Sequence, residues 1–458
     1  MVQNVSTTLS ALEQRLDQPT AKGLAHAVSG AIRDGELVAG DRLPPIRTVA
    51  AQLALSPTTV SAAWALLARS GAVSTDGRRG TTVRDQRGPD GGRYRQALRH
   101  ESGFTLDLST GVPDPALLPS LGPVLAQLTS APTTGSYLDD PVLPGLADVL
   151  RQDWPYAAPD LAVVDGAMDA MDLIVRTSLR FGDRVVVEDP GFPPLVDLLE
   201  SVGVQLVGVP VDAEGLDLPA LEAALTEPVA AIFLQPRAQN PVGVTMTPGR
   251  ARAIATLLQG SETLVVEDDS AAGLSSATLA STGRWRPGHT AYIRSFSKSH
   301  GPDLRLAALS APPALHRAIT ARRELGQGWS SRLLQQVLLG LLSSGAARAE
   351  VARATATYAA RRAQVVAALA ARGITVPGTE GINIWVPVHD ETAAMVRLAS
   401  QGIGVAPGAP FRLGPPTGAP EGGGHLRVTV GAAGDDLDGL ADALADAALA
   451  GGRPARAR

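Results

Sequence analysis

Cysteine is absent from these 458 residues. That excludes disulfides, thiolate metal sites, iron–sulfur clusters and a cysteine nucleophile, and it fits a chain kept in a reducing cytoplasm. The seven histidines are scattered with no H-E-x-x-H spacing, so no metal site is expected. No apolar run approaches the ~18 residues of a membrane span, and the opening "MVQNVSTTLSALEQRLDQ" lacks the basic start and apolar block of a signal peptide. Aromatics make up only 3%, so cores must be built from Ala, Val and Leu. Lysine is nearly missing as well. Of 40 Lys and Arg residues only Lys22 and Lys298 are lysine. An amine can lose its proton and attack a carbonyl, whereas a guanidinium stays protonated, so Lys298 in "RSFSKSHGPDLRLA" draws attention.

The net charge of −5 is uneven. Residues 1–103 carry 13 Lys/Arg against 9 Asp/Glu, and the remainder 27 against 36. A basic head on an acidic body is consistent with a nucleic-acid module joined to a soluble core. Within the head, "GLAHAVSGAIRDGEL" repeats Leu24, Val28 and Ile32 at helical spacing. "IRTVAAQLAL" turns Ile46, Val49, Ala50 and Leu53 inward. "SPTTVSAAWALLARSG" has Ser56 as N-cap, Pro57 at the first helical position, a Val60, Trp64 and Leu67 stripe, and Gly71 as its stop. "AVSTDGRRGTTV" reads as two short strands around a Gly/Arg tip. This order is a winged helix-turn-helix over residues 1–84, with Thr58, Thr59 and Ser61 presented to base edges or phosphates and Arg47, Arg78 and Arg79 as phosphate contacts. The plainer alternative is a small helical domain whose Thr and Arg side chains are merely solvated.

The stretch "GELVAGDRLPPIRTVAAQLALSPTTVSAAWALLARSGAVSTDGRRGTTV" resembles the DNA-binding domain of the GntR family, through "G-x-L-x-x-G-D-R-L-P", the Arg47 that follows, "S-x-T-T-V" and the closing "G-T-x-V". The resemblance implies DNA contacts from Arg47, Ser56, Thr58 and Thr59, with Gly80 in the wing, and double-stranded operator DNA as partner. The family usually has Arg where this chain has Pro57, so operator preference does not carry over.

Residues 85–103 are polar, Gly-bearing and without apolar periodicity, a linker, and 451–458 form a tail. From 104 to 450 the chain alternates strand-like and helix-like segments. "LAVVDG", "RVVVEDP", "VQLVGVPV", "AAIFLQP", "TLVVEDD", "TAYIRSFS" and "LRLAALSA" predict a mostly parallel α/β sheet covered on both faces. A smaller α+β subdomain is expected over about 345–450. Ligands of such sheets bind beyond the carboxyl ends of the strands. There the sequence places Asp268, Asn240, Lys298, Arg305 and a helix start at Gly166–Ala167. This set matches the needs of pyridoxal 5′-phosphate. Lys298 would offer the amine for a Schiff base. Asp268 would keep the pyridine nitrogen protonated. Ser295, Arg305 and the amides of Ala167 and Met168 would cradle the phosphate, and the Asn240 amide would donate to the ring hydroxyl. Glu267 and Asp269 beside Asp268 leave room for an ordinary run of strand-end carboxylates, and His300 lies close to Lys298 without a needed role.

"S-F-S-K-x-x-x-P-x-L-R", "QNPVG" and "VVEDD" resemble the lysine, N-P-x-G and aspartate segments of class I/II aminotransferases of fold type I. The resemblance implies that Tyr137, in "SYLDDPVLPGLADVLR", reaches the phosphate of a partner subunit in a homodimer. It also implies that Arg427, in "HLRVTVG", binds an α-carboxylate, and that Phe192, in "GFPP", stacks near the ring. That family usually has Tyr two residues past the aspartate, where this chain has Ser270, which weakens the case for efficient transamination. Head and body together resemble the MocR subgroup of GntR regulators. The expected function is therefore a cytoplasmic, ligand-sensing transcriptional regulator that takes pyridoxal phosphate and an amino acid or amine effector. The alternatives are an aminotransferase carrying an accessory DNA-binding head, or a DNA-binding protein whose body only dimerises.

Overall fold

The computed structural model describes residues 9, 12–16, 18–33, 36–38, 40–69, 73–76, 80–83, 92, 104–128, 136, 139–414 and 424–450. Gly71, Arg78, Arg79 and Tyr137 lie outside the described residues, as do nearly all of 85–103 and the whole of 451–458.

In the head, α1 (Ala21–Arg33), α2 (Ile46–Gln52) and α3 (Pro57–Arg69) precede β1 (Val73–Asp76) and β2 (Gly80–Val83). The two strands pair antiparallel, with Val73 opposite Val83. Helical spacing explains the core, in which Leu24, Val28, Val49, Val60, Trp64 and Leu67 are buried together. Ile32 is only half-buried, and Ala31, one residue earlier, takes the inward position. Ser56 caps α3: the Thr59 N–H donates to Ser56 Oγ at 3.0 Å, satisfying one of the orphan amides at a helix start.

The body begins with β3 (Leu106–Asp107), α4 (Gly122–Leu128), α5 (Pro144–Arg151), β4 (Ala162–Val164) and α6 (Ala167–Ser178). β5 (Arg184–Asp189), α7 (Pro193–Ser201), β6 (Gln205–Asp212), β7 (Gly215–Leu216), α8 (Leu218–Ala224), β8 (Ala231–Leu234) and α9 (Pro248–Leu257) follow. β9 (Leu264–Asp269), β10 (Thr290–Ser295), β11 (Ala307–Ser310) and α10 (Pro313–Glu324) complete the large layer. Eight strands form one sheet in the order β4-β11-β10-β9-β8-β5-β6-β7. β10, β9, β8, β5 and β6 run parallel, while β11 is antiparallel to both its neighbours. Seven of these strands coincide with the apolar runs in the sequence. The eighth, β7, has two residues, too few for any alternation to register. Side chains alternate across the sheet. Val185, Val187, Phe233 and Val266 pack on one face with Met171 and Ile174 of α6, and Val186, Ile232, Leu234 and Val265 pack on the other with Leu221 of α8 and Ile254 of α9.

Beyond α11 (Arg332–Ser343) and α12 (Gly345–Ala370), the chain builds a smaller unit from β12 (Ile384–Val388), α13 (Glu391–Ala399), β13 (Ile403–Gly404), β14 (Ala406–Pro407), β15 (Gly424–Val428) and α14 (Leu437–Ala448). Its sheet order is β12-β15-β14. β13 pairs in parallel with β3, and Leu108 is buried in the same core as Val365, Leu369, Ile384 and Leu444. The first strand after the linker therefore packs with this smaller unit, a long-range pairing that no local pattern announces. Phe181, in the turn between α6 and β5, packs against the core of the head.

Candidate cofactor site and DNA-binding head

Strand register assembles the rim. Ile293 of β10 lies opposite Asp268, Ser295 opposite Ala307 of β11, and Ala307 opposite Val164 at the end of β4. On β8, Leu234 lies opposite Glu267, so Gln235 and Asp268 emerge side by side. Residues distant in sequence thus share one edge: Gln235 and Asn240 after β8, Asp268 at the end of β9, Ser295 and Lys298 at and beyond the end of β10, Arg305 before β11 and Gly166 after β4.

The three consecutive acids separate by strand alternation. Glu267 accepts from the Ser281 and Thr282 hydroxyls and the Thr282 N–H. Asp269 accepts from Arg237 and Tyr292. Both are therefore engaged away from the rim, and Asp268 alone lines the cleft that Phe192 also lines. Asp268 Oδ2 accepts from Gln235 Nε2 at 2.7 Å, and Oδ1 accepts from Ser270 Oγ at 2.6 Å. Burial raises the Asp268 pKa, opposed by these two donors and by the charge of Lys298. The Lys298 side chain keeps part of its surface open but is enclosed enough that desolvation lowers its pKa, a shift that Asp268 opposes and Arg427 reinforces. A lowered pKa enlarges the neutral, nucleophilic fraction of the amine.

At the other end of the rim, Gly166 is the N-cap of α6, with φ +100° and no side-chain cap. The amides of Ala167 and Met168 are the first of that helix, a place where anions bind. A Cβ on Gly166 would stand 3.1 Å from Arg305 Nη2, so glycine lets the guanidinium close over the helix start. Arg305 is exposed and donates to the Asp165 carbonyl at 3.2 Å. Ser295 is buried on β10, its hydroxyl accepting from the Ser297 N–H at 3.4 Å. Asn240 is buried, and its Oδ1 has no hydrogen-bond partner. An open amide oxygen at a ligand rim is what a donor on a bound group, such as a ring hydroxyl, would satisfy. The donor set fits pyridoxal 5′-phosphate: an amine with a depressed pKa, a buried carboxylate, an open amide and an uncapped helix start beside an arginine.

Arg427, on β15, is 2% exposed. It donates to the Ser109 carbonyl and lies 5.4 Å from the Phe411 ring centroid. The Gly191 N–H donates to the Phe411 carbonyl at 2.8 Å, and the Leu413 N–H to Asp189 Oδ1 at 3.4 Å, so the smaller unit closes against the cleft wall beside Phe192. His300 bonds with Ser299, and burial lowers its pKa to about 4, which leaves the ring uncharged near neutrality.

Sequence reasoning missed Gln235, Gln239 and Glu188. Glu188 is buried at the end of β5, and its Oε2 accepts from the Gln235 N–H and from Gln239 Nε2, each at 3.2 Å. The only sequence signal was a carboxylate in "VVVED", indistinguishable there from a strand-end residue. Ser270, which stands where the aminotransferases have a tyrosine, donates to Asp268. A serine hydroxyl two residues past a strand-end acid turns back onto it, where a tyrosine would project beyond.

In the head, Arg47 and Thr58 are exposed and Thr59 is half-buried at the start of α3. The Ser56 hydroxyl is engaged with both threonine hydroxyls, at 2.6 Å and 2.8 Å, so it orders that turn. Gly80 opens β2 at φ +86°, left-handed backbone that favours glycine.

Residues 20–83 match the bacterial regulatory proteins of the gntR family, and residues 105–444 match aminotransferase class I and II. The chain is 34% identical over 412 residues, 88% of its length and 93% of the relative's, to the vitamin B6 salvage pathway transcriptional repressor PtsJ of Salmonella typhimurium. It is 28% identical to the HTH-type transcriptional regulator TauR of Rhodobacter capsulatus, over 87% of this chain and 89% of that one. A kynurenine aminotransferase of Pyrococcus horikoshii shares the body's fold, with TM-score 0.68 and 22% identity over 78% of this chain and 94% of that one. Among the described residues no single helix is long and apolar enough to cross a membrane, and no group of acidic or histidine side chains is placed to hold a metal ion. With a gntR head and a class I and II aminotransferase body in one polypeptide, the chain belongs to the MocR-type GntR regulators, DNA-binding transcriptional regulators whose body takes pyridoxal 5′-phosphate.

Proposed function

We propose that the protein is a homodimeric operator-binding regulator of vitamin B6 genes, with pyridoxal phosphate held at Lys298 and an amine or amino acid as a second effector. The observation that carries this reading is the convergence of Lys298, Asp268 and Asn240 on one rim while Ser270 is turned onto Asp268. Cofactor uptake is thereby supported and turnover is not. The named function of PtsJ supports the choice of vitamin B6 genes. The cofactor, when bound, supplies an aldehyde for an amine and an electron-withdrawing ring. Lys298 provides the amine, Asp268 the negative charge for the ring nitrogen, Asn240 the amide for the ring hydroxyl, and Ser295, Arg305, Ala167 and Met168 the phosphate cradle. Phe192 flanks the ring, Tyr137 serves the partner's site, and Arg427 holds an effector carboxylate. Arg47, Thr58, Thr59 and the wing at Arg78, Arg79 and Gly80 meet DNA, with Ser56 ordering the first turn.

Transmission needs a ligand with different affinity for two arrangements of the heads. α6 offers a route. It starts at the phosphate cradle, runs ~18 Å at 1.5 Å per residue, and leads into Phe181, which packs on the head. Fluorescence anisotropy with promoter fragments of vitamin B6 genes tests the reading. Specific binding whose affinity changes on adding pyridoxal phosphate is expected; no specific binding at low salt, with or without it, rejects it. The aminotransferase alternative rests on the same near-complete set of residues, and sustained keto-acid production from an amino acid panel would establish it.

Arg427→Lys is expected to weaken carboxylate-bearing amines by about 100-fold while sparing their decarboxylated analogues, because a lysine loses the planar fork that grips a carboxylate. Spectral titrations of both ligand classes read the difference.

A further inference from the structure

We infer that Gln235, a residue with no role in the reading above, is the positioning residue of the cofactor site: one buried amide that locks Asp268 and Asn240 at a fixed spacing. The inference rests on the cofactor reading and adds to it. Gln235 follows β8 and is 9% exposed. Its Nε2 donates to Asp268 Oδ2 at 2.7 Å. Its Oε1 accepts from the Asn240 N–H at 2.8 Å. Its own N–H donates to Glu188 Oε2 at 3.2 Å. The neighbours determine which way the amide faces, since reversing it would put oxygen against a carboxylate and NH2 against an N–H. The turn carrying Asn240 is itself braced, the Val242 N–H donating to Gln239 Oε1 at 3.1 Å and Gln239 Nε2 to the Pro190 carbonyl at 2.8 Å.

The arrangement has an electrostatic consequence. Asp268 is buried, and burial alone favours its neutral form. The Gln235 and Ser270 donors oppose that, favouring the charged form that the ring nitrogen needs, while the other end of the same glutamine side chain holds the backbone N–H of Asn240. A group that bonds to both partners fixes the separation between the two places where the ring would be gripped.

Gln235→Glu separates charge from shape. It is isosteric and keeps an oxygen toward the Asn240 N–H, but it presents a second carboxyl to Asp268, and two such groups must share a proton. Pyridoxal phosphate titrated into cofactor-free protein, followed by visible absorbance from pH 5 to pH 8, should show at least tenfold weaker uptake at pH 8 and a smaller deficit at pH 5. At pH 5 the added carboxyl is protonated and donates to Asp268 as the amide does. Gln235→Met, which removes both bonds at similar volume, should bind about tenfold more weakly at both pH values, and it carries the test if the Glu variant does not fold. Cofactor-free melting temperatures identify folded variants. Wild-type affinity in the folded variants, or a Gln235→Glu deficit independent of pH, overturns the inference while leaving the cofactor reading intact. A wild-type protein that takes up no pyridoxal phosphate overturns both.

Discussion

Replacing Lys298 with alanine is expected to remove the visible chromophore of the purified protein completely, and replacing it with arginine is expected to do the same. The pair isolates the chemistry. Alanine deletes charge and amine together, whereas arginine restores the charge near Asp268 but offers a guanidinium that does not deprotonate. Residual binding through the phosphate cradle and Asn240 should persist, because those contacts involve other side chains. Apparent affinity for pyridoxal phosphate should therefore fall by about 100-fold, equivalent to ~2.7 kcal/mol, without vanishing. Low-salt operator binding by the Lys298→Ala variant should match wild type, since Arg47 and Thr58 lie in the head, whereas any change in operator affinity on adding cofactor should need about 100-fold more cofactor. An arginine variant that keeps the band would show that another amine carries the cofactor. Lys22 is the one other lysine that could do so.

The fold was legible because its main determinants are local. Apolar runs of four to eight residues mark central strands of a doubly covered sheet, and "RVVVEDP" and "TLVVEDD" became β5 and β9 as read. Ser56 followed by Pro57 announced a helix start, and a helix starts there. Lys298, Asp268 and Asn240 could be singled out because each stands just past an apolar run. Gln235 could not. Its meaning comes from sheet register, which brings it beside a carboxylate 33 positions away, and a glutamine after a strand has no spacing rule that singles it out. The three acids at 267–269 were ambiguous for a related reason: alternation says that one faces opposite to its neighbours, but only the partners of Glu267 and Asp269 tell which side is the cleft. β3 escaped notice because two residues bear no period and its partner, β13, lies about 300 residues later.

Glu188 carries the last large effect. Burial lifts its carboxyl from an ordinary value of 4.5 to about 8, aided by the Asp268 charge and opposed by the Gln239 and Gln235 donors. Below about pH 4.5 the group is protonated in both folded and unfolded chains. Between there and about pH 8 the folded protein holds a proton that the unfolded chain releases, so the stability present at low pH is progressively lost as pH rises. Each unit of that window is worth at most ~1.4 kcal/mol, a ceiling of a few kcal/mol for this residue. Gln is the uncharged isostere, and its carbonyl accepts both donors that now reach Oε2. Glu188→Gln is therefore expected to melt near wild type at pH 5 and several °C higher at pH 8. Differential scanning calorimetry of the cofactor-free protein, following the transition of the body, reads both values. A variant that melts lower than wild type by the same amount at both pH values would mean that the Glu188 carboxyl is ionised throughout, its charge held by the two glutamine donors.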